Sequence, residues 1–132
     1  MDKNVLVIEE TNAGAELIRR FQEYMPVDAA FWLNPSEEGG WALYIASPRM
    51  DVANYDRGFA EILRLVWEMQ TPHIDPFQVR LIGSDDPLAK AAVESNRKFP
   101  GPMPTRFRGK NFGGNPVEEV YIYPEKHLTP VG

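Results

Sequence analysis

The sequence predicts an α+β domain of two layers, a mostly antiparallel sheet of about five strands with three helices on one face, in the order α-β-β-α-β-α-β-β. Three observations support this. Apolar residues recur at helical spacing in three segments. Short runs rich in aromatic and β-branched residues arrive in pairs joined by turn formers, which favours antiparallel pairing. The twelve prolines fall between the periodic segments rather than inside them, so breaks and patterns agree.

The first helix is expected over 13–25, "AGAELIRRFQEYM", where Leu17, Ile18, Phe21, Tyr24 and Met25 share one side and Pro26 ends the run. Thr11 or Asn12 is placed to cap it. The preceding "NVLVIEE" reads as a short strand or a lead-in. Residues 27–33, "VDAAFWL", and 41–47, "WALYIAS", flank "NPSEEGG" and form a hairpin with a longer loop. The second helix spans 52–70, with Phe59, Ile62, Leu63, Val66 and Met69 toward the core and Asp51 as cap. In 77–83, "FQVRLIG", Phe77, Val79 and Leu81 alternate with Gln78 and Arg80, as in a strand. Asp86 as cap with Pro87 at the first helical position opens the third helix. A final hairpin pairs "TRFRGKNF" (105–112) with 117–123 around Gly113-Gly114, whose positive φ angles suit a tight primed turn. That register sets Arg108 opposite Glu119 and Arg106 opposite Tyr121, buries Val120 and Ile122 with Phe107, and leaves Pro116 beside an unpaired or edge stretch.

A chain of 132 residues fits a single domain, 1–132. At this size about 65–70% of the unfolded chain's surface is buried, enough for an autonomous core. The absence of cysteine excludes disulfides, thiolate metal sites and thiol nucleophiles, and it suits a cytoplasmic setting. The N-terminal apolar run is too short for a signal-peptide core, and no window approaches the roughly 20 apolar residues of a membrane span. No membrane partner is expected.

The net charge of −5 is unevenly placed. Residues 97–115 carry five cations and no carboxylate, +5 against −10 for the rest. Arg106, Arg108 and Lys110 would share one face of a strand, with Arg97 and Lys98 at the end of the preceding helix. Such a row can hold an anion or a phosphate backbone, with Phe112 and Tyr121 as stacking surfaces. The same residues are equally accounted for locally, by an Arg108–Glu119 pair, by Arg106 stacked on an aromatic ring, and by cations at a helix C-terminus.

Three further groups carry candidate chemistry. Trp32, Trp41 and Tyr44 crowd the first hairpin, which is apolar on both pleat faces. Either both faces are covered within the domain, or one offers an aromatic patch to a partner. Asp85 and Asp86 follow a strand and precede a helix, where two carboxylates could bind a divalent cation, although a cap and a turn explain the same letters. His73 stands two residues from Asp75 without a nucleophile in a recognisable context, and His127 lies near the C-terminus; neither reads as a zinc ligand.

The expectation is a non-catalytic cytoplasmic interaction module, without a cofactor, binding another protein or its own copy through Trp32, Trp41 and Tyr44. The alternative is a nucleic-acid accessory protein gripping phosphates through Arg97, Lys98, Arg106, Arg108 and Lys110. The third class is a metal-dependent hydrolase using Asp85 and Asp86.

Overall fold

The computed structural model describes residues 5–36, 40–125 and 128. The elements follow the predicted order: α1 (Ile8–Phe21), β1 (Ala29–Asn34), β2 (Ala42–Ser47), α2 (Tyr55–Met69), a 3-10 turn (Pro76–Gln78), β3 (Val79–Gly83), α3 (Pro87–Lys98), β4 (Thr105–Phe112) and β5 (Asn115–Ile122). The five strands form one mixed sheet in the order β3-β2-β1-β5-β4, antiparallel throughout except for the β2–β3 pair. The parallel pair arises because α2 carries the chain from the end of β2 back to the start of its neighbour. The fold is α+β, as the sequence predicts.

The helices divide two and one rather than lying three on one face. Ala30, Trp32, Leu43, Ile45, Val79 and Leu81 form a core with Leu17, Ile18 and Phe21 of α1 and Ile62 and Leu65 of α2. Ala29, Phe31, Leu33, Ala46, Val120 and Ile122 pack on the other face with Ala89 and Ala92 of α3. The topology requires this. α3 connects β3 at one edge of the sheet to β4 at the other, and α1 and α2 already fill the first face. Covering on both sides also explains why every residue of β1 is buried.

Element ends differ from expectation where caps are unusual. α1 begins at Ile8, not at residue 13, so Thr11 lies within its first turns rather than at its cap. The residue before the helix is Val7, which has no side-chain acceptor, and Glu10 instead reaches back to accept from the Val7 N–H at 3.0 Å. At α2, Asp51 and Asn54 exchange hydrogen bonds, each side-chain oxygen accepting from the other's backbone N–H at 2.9 Å. The start of α3 is as predicted, with Asp86 Oδ1 accepting from Leu88 N–H at 2.8 Å and Pro87 at the first position.

A buried polar chain runs through the first core. Trp32 Nε1–H donates to Tyr123 Oη at 2.9 Å, and Tyr123 O–H donates to the Thr11 carbonyl at 2.6 Å. All three groups are buried, so the chain satisfies what would otherwise be costly orphans. Gly14 makes room for it, because a Cβ there would overlap Tyr123 Oη and lie 3.1 Å from Trp32 Nε1.

Candidate interaction surfaces

The first hairpin is interior. Trp32 is fully buried and Trp41 nearly so, while Tyr44 stacks on Phe31 at 5.2 Å on the α3 face. The structure therefore buries Trp32 and Trp41 within the domain and leaves Tyr44 half-buried against Phe31. Of the two explanations the sequence leaves open for this doubly apolar hairpin, coverage within the domain is the one realised.

The second hairpin has the expected register, Arg108 opposite Glu119 and Arg106 opposite Tyr121, with positive φ at both Gly113 and Gly114. Pairing between β1 and β5 stops at Asn34–Glu119, so Pro116 lies beyond it. Arg108 meets Glu119 at 3.6 Å, and the Arg106 guanidinium lies 5.2 Å from the Tyr121 ring centre. Arg97 pairs with Glu94 at 2.9 Å.

Lys110 departs from the expected row. Gly109 adopts φ +60° in mid-strand, a conformation that interrupts the pleat. Beyond it the alternation changes phase. Phe112, an even-numbered residue like Arg106 and Arg108, packs into the α3-side core, as does Val117, which is odd-numbered unlike its core neighbours Val120 and Ile122 and pairs with Lys110. Lys110 goes with them and stands with its Nζ 5.6 Å from the Phe107 ring centre. Arg106 and Arg108 thus face one side and Lys110 the other. A lone glycine inside a strand pattern is the sequence signal for such a break.

Asp86 is engaged as the α3 cap. Asp85 is exposed beside it, and Ser84 Oγ–H donates to Asp28 Oδ2 at 2.6 Å rather than to either of them. Among the described residues no three His, Asp or Glu side chains converge as a metal site would require. His73 is exposed, and Asp75 accepts from the Phe77 N–H at 2.9 Å to cap the 3-10 turn. His127 lies outside the described residues. Among the described residues, no helix is long and apolar enough to cross a membrane.

A charged cleft separates α1 from α2 on the outer surface. Glu16 accepts from Arg19 at 2.6 Å and from Arg20 at 2.7 Å, and those hydrogen bonds, Arg19's first, hold its carboxyl down at about 2. Arg64 binds Glu61 and also Glu68, the latter at 2.5 Å, and its hydrogen bond to Glu61 raises its basicity further. These charges are matched within each helix, and across the cleft Arg20 stands 4.0 Å from Glu68.

The surface that sequence reasoning missed lies on the other flank of α2, away from α1. Tyr55, Phe59, Leu63 and Trp67 recur every four residues and so form one slowly winding stripe. Tyr55 stacks on Phe59 with ring centres 6.4 Å apart, and Phe59 meets Phe77 of the 3-10 turn at 6.1 Å. Trp67 is 79% exposed, Phe77 70% and Leu63 39%. Leu63, expected in the core, is displaced to this flank because Gly58, Ile62 and Leu65 define the buried arc. Beside the stripe runs β3, an edge strand of the sheet.

Compared with known proteins, the chain matches no family model, no curated protein sequence and no solved structure.

Proposed function

We propose that this protein is a non-catalytic interaction module whose docking face is the outer flank of α2 with the adjoining 3-10 turn and the β3 edge, and whose partner is a second copy of the chain. The observation that carries this reading is Trp67, a large aromatic side chain 79% exposed at the end of a continuous apolar stripe. Contiguous exposed apolar surface of this kind marks interaction sites, and Trp is enriched among the residues that dominate their energetics.

Two features favour a self-complementary partner. β3 offers unpaired backbone groups along its outer side, the template on which another strand adds. Its exposed charges sit at opposite ends, Arg80 near the start and Asp85 just past the finish. A twofold, antiparallel approach of two β3 edges therefore brings each Arg80 toward the other copy's Asp85, while the α2 stripes meet above the join. Arg80 at present folds back onto its own chain, donating to the Phe77 carbonyl at 2.6 Å.

The nucleic-acid alternative loses support, since Arg97, Arg106 and Arg108 each have a local partner and Lys110 stands on the other side of the strand from Arg106 and Arg108. A cytoplasmic setting accords with a chain that contains no cysteine, and no cofactor enters the reading. Light scattering on wild type and Trp67→Asp tests it. Wild type is expected to form a concentration-dependent dimer, and Trp67→Asp to be monomeric with the melting temperature that wild type shows when diluted to monomer. A wild type that stays monomeric from micromolar to submillimolar concentration would overturn the proposal.

A further inference from the structure

On the opposite face from the α2 stripe, the sheet is covered by α3 alone, and the cover is incomplete. The tip of the second hairpin tucks beneath the start of α3: a Cβ on Gly113 would come within 3.0 Å of Leu88 Cα. From there the helix and the hairpin enclose a groove of about 350 Å³ along α3 from Ala91 to Phe99. That is within the size range of small-molecule sites, roughly 300–1,000 Å³.

The groove has an apolar floor and a polar rim. Phe107, Phe112, Val117 and Val120 supply the floor. Phe107 and Phe112 face the same way only because Gly109 shifts the pleat between them. In the wall is Ser95, only 7% exposed, whose Oγ has no hydrogen-bond partner. A buried hydroxyl without a partner is unfavourable and is the sort of group that a ligand's acceptor satisfies. Lys98 and Lys110 line the rim, both exposed, and neither makes an ion pair among the described residues. The one carboxylate there, Glu94, is neutralised by Arg97 at 2.9 Å.

We infer that this groove binds a small monocarboxylic acid with a flat apolar body. The body lies on the phenylalanine and valine floor. The carboxylate sits between the two ammonium groups and accepts from Ser95 O–H, a charge-assisted bond that neutral ligands cannot match. A single negative charge suits the place better than a phosphate dianion, because the rim lies at the C-terminal end of α3, where the helix dipole is negative. No arginine fork or helix N-terminus is there to hold a second charge.

Amide NMR titration of the full chain with 4-phenylbutyrate, beside the neutral 4-phenylbutan-1-ol, tests the inference. The acid should give saturable shifts confined to residues around Ser95, Lys98, Phe107, Lys110 and Phe112. The alcohol should bind at least about tenfold more weakly, the usual scale of losing charge-assisted hydrogen bonds. Exchanging both exposed lysines, Lys98→Gln with Lys110→Gln, should weaken the acid by about three- to tenfold and leave the alcohol unchanged. Ser95→Ala should weaken the acid while leaving the melting temperature the same or higher, since the hydroxyl it removes is unsatisfied in the free protein. Absence of saturable binding overturns the inference. So does equal affinity for acid and alcohol, or an acid affinity indifferent to the lysines.

Discussion

The two faces of the sheet are built differently. The face under α1 and α2 is closed by two helices carrying large side chains, and the buried Trp32–Tyr123–Thr11 chain runs through it. The face under α3 is covered by one helix whose buried side chains are Ala89, Ala92, Ser95 and Asn96, all small or polar. Small side chains let α3 lie close to β1, but they cannot reach sideways over β4 and β5. The first face therefore leaves its spare aromatic surface outside, on the flank of α2, whereas the second leaves a gap inside, between helix and hairpin. One kind of incompleteness suits a flat protein partner and the other a small molecule.

The contrast predicts a gradient of mutational cost. Trp32→Ala should be the most damaging change, about 3–5 kcal/mol, the usual range for truncating a fully buried large aromatic. Phe107→Ala, in the half-covered groove floor, should cost clearly less, and chemical denaturation of the two variants measures the ratio. Equal costs would show that the two faces are packed alike.

Gly14→Ala comes next. Alanine is favoured over glycine in a helix by about 1 kcal/mol, yet here the new methyl meets the Tyr123 hydroxyl, which is buried and held by its two hydrogen bonds. Overpacking of this kind costs about 1–3 kcal/mol, so a net loss of stability is expected by thermal melting. Tyr123→Phe should also cost about 1–3 kcal/mol by leaving the buried Trp32 N–H unpaired.

The same tyrosine gives the first face an alkaline limit. Burial raises its phenol well above the ordinary value of 10.0, with the Trp32 N–H only partly offsetting this. The unfolded chain therefore ionises first. The stability contributed by the neutral buried phenol is complete below pH 10 and is lost as pH climbs beyond it. Wild type should unfold more readily on raising pH above 10, and Tyr123→Phe should show a smaller dependence in the same window.

The smallest effects belong to the exposed charges. Glu16, held near 2 by Arg19 and Arg20 against an ordinary 4.5, contributes stability present above pH 4.5 and lost as pH falls toward 2. Arg19 is largely in water and Arg20 and Glu16 partly so, so the contribution should be slight and should fade with salt. Arg108→Ala, which removes an exposed guanidinium 3.6 Å from the largely covered Glu119 carboxylate, should lower stability by no more than about 1 kcal/mol.

Much of this architecture was legible in the sequence because local chemistry decided it. Asp86-Pro87 placed the start of α3, and Gly113-Gly114 fixed the register of the second hairpin to the residue. The number and order of elements followed from periodicity and turns. The split of helices between faces was not read, though the doubly apolar first hairpin carried the signal, since a strand apolar on both sides needs cover on both. For the same reason Trp32 and Trp41 proved to be core rather than surface. Composition identified sticky residues, but the strand's central position decided what they touch. The α2 flank was missed because Leu63 and Trp67 sit at the margin of the helix's apolar arc, where a few tens of degrees of rotation separate core from solvent. Only the positions of Gly58, Ile62 and Leu65 against β2 and β3 settle that rotation.

If the α2 flank and the β3 edge together receive a second copy, association should protect both. Amide hydrogen exchange, measured over a dilution series, tests it most directly. Increasing concentration should slow exchange in β3 (Val79–Gly83) and along α2 near Leu63 and Trp67, while leaving β4 and β5 unchanged. Exchange that is independent of concentration in β3 and α2, or protection that appears instead in the β4–β5 hairpin, would contradict the account.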